Sequence, residues 1–129
     1  MHVEFTPSPG PSLGVEVEYG VVDKQTGRYV EVADEILGIV GAGHHEGEHP
    51  KAKHELFNSS IEVITGVCQN PDEAIADLRG TLLELKPHLD LRGLAMESSG
   101  THPFADWDAM RLSPGERYQR LIDEIGWPA

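Results

Sequence analysis

Residues 12–23 read Ser-Leu-Gly-Val-Glu-Val-Glu-Tyr-Gly-Val-Val-Asp, a period-two pattern that marks a β-strand. Side chains on a strand point alternately to its two faces, so Glu16 and Glu18 share one face while Val15, Val17 and Tyr19 share the other. The apolar face asks for a cover of helices or a second layer. The acidic face either meets plain solvent or awaits something cationic.

The segments that follow suggest what the cover is. A turn at 24–28 with Gly27 leads to a short return strand at 29–32, which predicts a hairpin. Ala33–Val40 can form two helical turns. The glycine- and histidine-rich stretch 41–54 reads as a loop. A β-branched strand runs from Ile61 toward Cys68. Asn70 as N-cap, Pro71 at the first position and Asp72 and Glu73 in the first turn then announce a helix. Its residues Ile75, Leu78, Leu82, Leu85 and Leu89 recur at helical spacing and predict one buried face, with Pro87 bending or ending it. Residues 92–100 offer another short strand and 101–107 an irregular loop. Ser113, Pro114 and Glu116 open a last helix with a capping-box start, and Tyr118, Leu121, Ile122 and Ile125 line one face of it. The expectation is an α+β fold, an antiparallel or mixed sheet with helices on one face. Residues 1–11, rich in Pro, Ser and Gly, read as a flexible leader, and 12–129 as one domain. With about four strands in hand the sheet looks incomplete, and an unfinished edge predicts self-association or a second chain that completes it.

Charge narrows the partners. Ten Lys and Arg against 22 Asp and Glu give a net charge of −12, the wrong sign for binding nucleic acid or an anionic membrane. No apolar run approaches the ~20 residues of a membrane span. The first residues lack the basic and apolar regions of a signal peptide. A single cysteine, Cys68, rules out an internal disulfide and fits a reducing cytoplasm.

Glu62 repeats the theme of Glu16, standing between Ile61 and Val63. Glu55 lies seven residues earlier, and an odd spacing on a regular strand would put the two on opposite faces. They meet only if the chain leaves the strand before Ile61, and Asn58-Ser59-Ser60 is a plausible bend. Four carboxylates converging on one face would repel and drive protons onto one another, a penalty that divalent cations remove. Mg²⁺ suits an all-oxygen shell shared among carboxylates, waters and nucleotide phosphates. The same Val-Glu alternation is also what any half-exposed antiparallel strand shows.

The blocks at 14–23, 54–68, 98–107 and 116–127 together resemble the carboxylate–amine ligases of the glutamate–cysteine ligase type 2 family in order and spacing. The resemblance implies a glutamine-synthetase-like fold, an antiparallel sheet curved around the active site. It implies ATP and Mg²⁺ used to phosphorylate a carboxylate, usually the γ-carboxyl of glutamate, and an amine such as that of cysteine attacking the acyl phosphate. By the same resemblance Glu18, Glu55 and Glu62 would hold one ion and Glu16 another, and Thr101 and His102 would be catalytic-site residues in the wall near the substrate. Members of the family are several times longer and continue into a His-Val-His-type strand and phosphate-contacting basic residues. The expectation is therefore an N-terminal piece, a split subunit or a truncated product that supplies part of an active site and is inactive alone. A regulatory or decayed fragment that keeps the fold without turnover is the alternative.

Other residues carry plainer expectations. His44, His45, His49 and His54 could hold a transition metal, but their spacing matches no zinc motif. Lys51 and Lys53 read as solvated. Cys68 reads as a buried small residue rather than a nucleophile.

Overall fold

The computed structural model of the chain describes residues 7–126. Four strands, β1 (Glu16–Asp23), β2 (Ala52–His54), β3 (Ser60–Ile64) and β4 (Leu94–Glu97), form one antiparallel sheet in the order β2-β3-β1-β4. Three helices accompany it: α1 (Ala33–Gly41), α2 (Pro71–Asp90) and α3 (Glu116–Ile125). The α+β arrangement expected from the sequence is present, with α1 and α2 packed against the same apolar sheet face. No helix among the described residues is long and apolar enough to cross a membrane.

The core follows from the alternation. Val21 on β1, Ile61 and Val63 on β3 and Leu94 on β4 point to the helices and meet Ile36 of α1 and Leu85 and Leu89 of α2, all of them buried. Removing each such side chain from water stabilises the fold by about 1.5–3 kcal/mol. Asn70 caps α2 as its sequence predicts, its Oδ1 accepting from Glu73 N at 3.0 Å while the Glu73 carboxylate accepts from Gln69 N at 2.7 Å. The first turn of α1 is capped from far along the chain instead: Asn58 Oδ1 accepts from Asp34 N at 2.8 Å. That bond fastens α1 to the bend before β3.

Several elements depart from the sequence reading. The hairpin turn forms, with Gly27 at φ 67° and its N–H on the Asp23 carbonyl, but the return strand shrinks to a single bridge of Tyr29 to Val22. The side of β1 that Tyr29 reaches is already occupied up to Gly20 by β3, which leaves room for one pair only. The stretch 41–54, read as all loop, contains a short 3-10 turn at His45–Gly47 and the edge strand β2. Ala74, not Ile75, starts the buried face of α2; Ile75 is 62% exposed. α2 also runs through Pro87 for three further residues before it stops. Ser113 is buried and does not cap α3; Gly115 holds the N-cap position, and no residue of α3 is buried. Trp127 and Pro128, and the first half of the leader, lie outside the described residues.

Candidate functional site: an acidic sheet face

Antiparallel pairing sets residues opposite one another on the same face, and here the register is decisive. Glu18 of β1 stands directly across from Glu62 of β3, and Glu16 lies two residues away on the same face as Glu18. β2 ends at His54, so Glu55 leaves the strand and turns back before β3 begins at Ser60. That is the departure before Ile61 that the odd spacing requires. Burial pushes the Glu62 carboxyl up from its ordinary value, and the nearby charges of Glu16, Glu55 and Glu18 push it further. Glu62 therefore feels the charge of the other three carboxylates. Like charges directly opposite in a sheet are destabilising, so this arrangement works against the fold unless a cation balances it. An all-carboxylate set without sulfur or imidazole fits a hard divalent cation such as Mg²⁺.

The register adds residues that the sequence alone did not single out. Glu97 of β4 pairs with Gly20, which puts a further carboxylate on the acidic face two residues along β1 from Glu18. Lys53 of β2 faces Glu62 from the other side, so it belongs to this face rather than to a solvated loop. From α3, Arg117 is the cation whose charge lowers the Glu62 carboxyl again, and the Tyr118 hydroxyl donates to the His54 carbonyl at 2.8 Å. Burial and then the charge of Glu55 raise the Tyr118 phenol, placing it beside the same cluster. Glu97 was within reach of the alternation of Leu94, Ala95, Met96 and Glu97; what was missing was the pairing of β4 with β1. Nothing in the spacing of Arg117 or Tyr118 could have pointed to a site so distant in sequence.

Tyr29 closes one end of the face. A Cβ at Gly20 would overlap the Tyr29 ring and lie 2.9 Å from Glu97 Oε1, so glycine there admits the ring over the sheet. The Tyr29 hydroxyl donates to the Glu97 carboxylate, and its phenol is raised by burial first and by that carboxylate second. His102 stacks on Tyr29 with ring centroids 4.3 Å apart. Its Nε2 donates to the Gly27 carbonyl at 2.8 Å and its Nδ1 accepts from Phe104 N at 3.3 Å, so both nitrogens are engaged and the ring acts as a wall. Thr101 is exposed on the adjoining loop, with its backbone N–H on the Ser99 carbonyl. Neither residue is brought against the four glutamates; His102 joins them through Tyr29 and Glu97.

A second cluster has a different reading. His44, His49 and Glu84 bring potential ligand atoms within 4.8 Å of one another. Yet His49 Nδ1 accepts from two backbone N–H groups, of Lys51 at 3.1 Å and Ala52 at 2.9 Å. The ring proton therefore sits on Nε2, which donates to Glu84 at 3.0 Å and has no lone pair for a metal. His49 anchors the start of β2. His54 meets Asp34, and Lys51 is paired with Asp77. Cys68 is buried, as expected of a small structural residue.

The chain is an α+β protein, a helix-backed antiparallel sheet with acidic residues on the face away from α1 and α2. The chain belongs to glutamate-cysteine ligase family 2 (GCS2), whose model matches residues 12–129. Among its relatives, “Putative glutamate–cysteine ligase 2-1” of Frankia casuarinae is 43% identical over 129 residues, covering all of this chain and 34% of the relative. The protein of the same name in Frankia alni is 42% identical over 133 residues, again covering all of this chain and 34% of its own length. “Putative glutamate–cysteine ligase 2” of Thermobifida fusca is 37% identical, with all of this chain and 32% of the relative covered. The chain thus spans about a third of the length of the curated relatives it matches.

Proposed function

We propose that this chain forms the N-terminal part of an ATP-dependent carboxylate–amine ligase of the glutamate–cysteine type, built on a glutamine-synthetase-like sheet. The observation that carries the reading is the Glu18–Glu62 pair, with Glu16 and Glu55 close enough to act on it. Family membership supports the activity; the fit of the carboxylates to a hard cation supports the cofactor. Glu18, Glu55 and Glu62 would hold one Mg²⁺ and Glu16 another. The ions would neutralise charge on the ATP phosphates during transfer.

This chain's own residues supply the rest of its share. Rigid β1 and β3 fix the carboxylates in place, and Tyr29 with His102 walls the far end of the face. Arg117, whose charge acts on Glu62, would offer a cation to a phosphate or the substrate carboxylate there. In the complete enzyme, transfer of the γ-phosphoryl group to glutamate makes an acyl phosphate. Attack by the amine then expels phosphate, a far better leaving group than oxide. With ¹⁸O in the glutamate carboxylate, amide formation should release phosphate that carries ¹⁸O, read by mass spectrometry. Phosphate without carboxylate oxygen, or AMP and pyrophosphate as products, would refute the mechanism.

The chain alone should lack ligase activity and should associate. α3 leaves Leu121 40% and Ile125 75% exposed, and among the described residues the edge strands β2 and β4 each pair with one strand only. Light scattering over a concentration series should show mass rising above 14.1 kDa. A monomer at every concentration would contradict this.

A further inference from the structure

α2 does not close over the whole apolar face of the sheet. Between its C-terminal half and strands β1 and β4 runs a groove of about 420 Å³, within the range of small-molecule sites. Tyr19, Leu82, Leu83, Leu89, Leu94 and Met96 supply its apolar lining. Leu89 and Leu94 are buried in the core, Leu82 and Met96 pack half-buried against it, and Leu83 stays 57% exposed. The groove follows α2 from Arg79 to Asp90, a rise of roughly 16 Å, so it is elongated along the helix.

The charges on this groove run against the rest of the chain. Lys24, Arg79 and Lys86 line it, three of the ten Lys and Arg, while Asp90 is its one carboxylate out of 22 Asp and Glu. The two lysines occupy Asp90: Oδ1 accepts from Lys24 Nζ at 2.6 Å and Oδ2 accepts from Lys86 Nζ. Arg79 is paired with no acid among the described residues. Its neighbours three and four residues away along α2 are Ile75, Ala76, Leu82 and Leu83, so no carboxylate stands where the helix could pair it. On a chain of net charge −12, a guanidinium left among leucines is the complement of a carboxylate on an apolar tail. A second copy fits poorly, because a two-fold pairing along β4 would set the same three cations against one another. The net charge likewise turns away an anionic bilayer.

We propose that this groove binds a free single-chain carboxylate, its aliphatic tail along Leu82, Leu83, Leu89 and Met96 and its head on Arg79. Arg79 and the Lys24–Asp90–Lys86 cluster stand at opposite ends of the groove, and only the Arg79 end has no carboxylate to balance it. Burial of the tail supplies affinity, and the planar guanidinium selects the head. The groove lies on the helix side of the sheet, whereas Glu16, Glu18 and Glu62 face the other side, so the site does not depend on the ligase reading.

The test is titration of the 129-residue chain, carrying methyl-¹³C methionine, with decanoate below its micellar concentration, followed by NMR. The Met96 methyl should shift saturably, while Met110, which lines the separate cleft beside Tyr29 and His102, should not. Decanol and decyltrimethylammonium lack the anionic head and acetate lacks the tail, so each should bind at least about tenfold more weakly. Arg79→Glu, at an exposed position, should weaken decanoate by at least about the same factor with an unchanged circular dichroism spectrum. Should that variant fail to fold, Arg79→Gln provides the same test. Leu121→Gln on α3 should leave decanoate binding unchanged, which separates the groove from the other exposed apolar surface. Equal binding of decanol, a Met96 shift that never saturates, or indifference to the Arg79 substitutions would mark detergent-like adsorption and overturn the proposal. So would loss of self-association in Leu83→Gln together with no decanoate binding, which would give the groove to a second copy.

Discussion

Replacing Glu62 by glutamine should weaken Mg²⁺ binding by about 10- to 100-fold or more, since even outer partners of a metal site carry that much. Glu62 faces Glu18 directly and feels Glu16 and Glu55, so it is the residue on which the cluster's repulsion converges. The same substitution should raise the melting temperature in the presence of a chelator, because it removes one of the opposed charges. The pH dependence separates the two effects. Burial and like charge raise the Glu62 carboxyl above its ordinary 4.5, so the folded chain holds this proton more tightly than the unfolded chain. Its contribution to stability is fully present below the ordinary value and is lost as pH rises through the folded value. Asp23, Asp77 and Asp90 are lowered by their hydrogen bonds and behave oppositely, losing their contribution as pH falls. The difference between wild type and Glu62→Gln isolates the first behaviour. Without metal, wild type should fall behind the variant as pH rises past 4.5. With Mg²⁺ at about a hundred times its dissociation constant, wild type should regain about 2.7 kcal/mol. Calorimetry, or paramagnetic broadening by Mn²⁺, measures the binding directly. Binding indifferent to changes at all four glutamates would remove the metal site altogether.

What the sequence revealed and what it hid divide along a physical line. Periodicity and caps are local, and they located β1, β3, α1 and α2 through Glu16, Glu18, Ile61, Glu62 and Asn70. The approach of Glu55 toward Glu62, felt as its charge, could be inferred because Asn58-Ser59-Ser60 is a local bend. Pairing partners are not local. The return strand after Gly27 reads as a hairpin from its own residues, yet β3, much later in the chain, takes that edge of β1 and leaves Tyr29 a single bridge. The cap of α1 comes from Asn58 and the fifth carboxylate from Glu97, both placed by contacts far apart in sequence. Amphipathicity fails in α3 for a related reason. Tyr118, Leu121, Ile122 and Ile125 share a stripe, but only Tyr118 finds a hydrogen-bonding partner in β2, and the helix keeps no buried residue. A stripe states what a helix can cover; it does not supply the surface to be covered.

Gly20→Ala should displace Tyr29 without touching the four glutamates. The added methyl would overlap Tyr29 Cε1, approach Cζ to 3.1 Å and reach 2.9 Å from Glu97 Oε1. The atoms it strikes are the far ends of side chains and not backbone, so the expected response is displacement rather than unfolding, with a cost of about 1–3 kcal/mol. With the ring pushed off the sheet, its hydroxyl loses Glu97 and His102 loses its stacking partner. The phenol of Tyr29 should then titrate closer to its ordinary value of 10.0, because both causes that raise it, burial and the adjacent carboxylate, are relieved. Ultraviolet titration can follow this: in wild type Tyr29 and Tyr118 are both raised, and in the variant only Tyr118 should remain so. Mg²⁺ binding should be nearly unchanged, because Glu16, Glu18, Glu55 and Glu62 are not touched by the methyl group. If metal binding falls as well, the position of Tyr29 matters to the acidic face. If the phenol stays high, the ring does not lean on Gly20 as the structure has it.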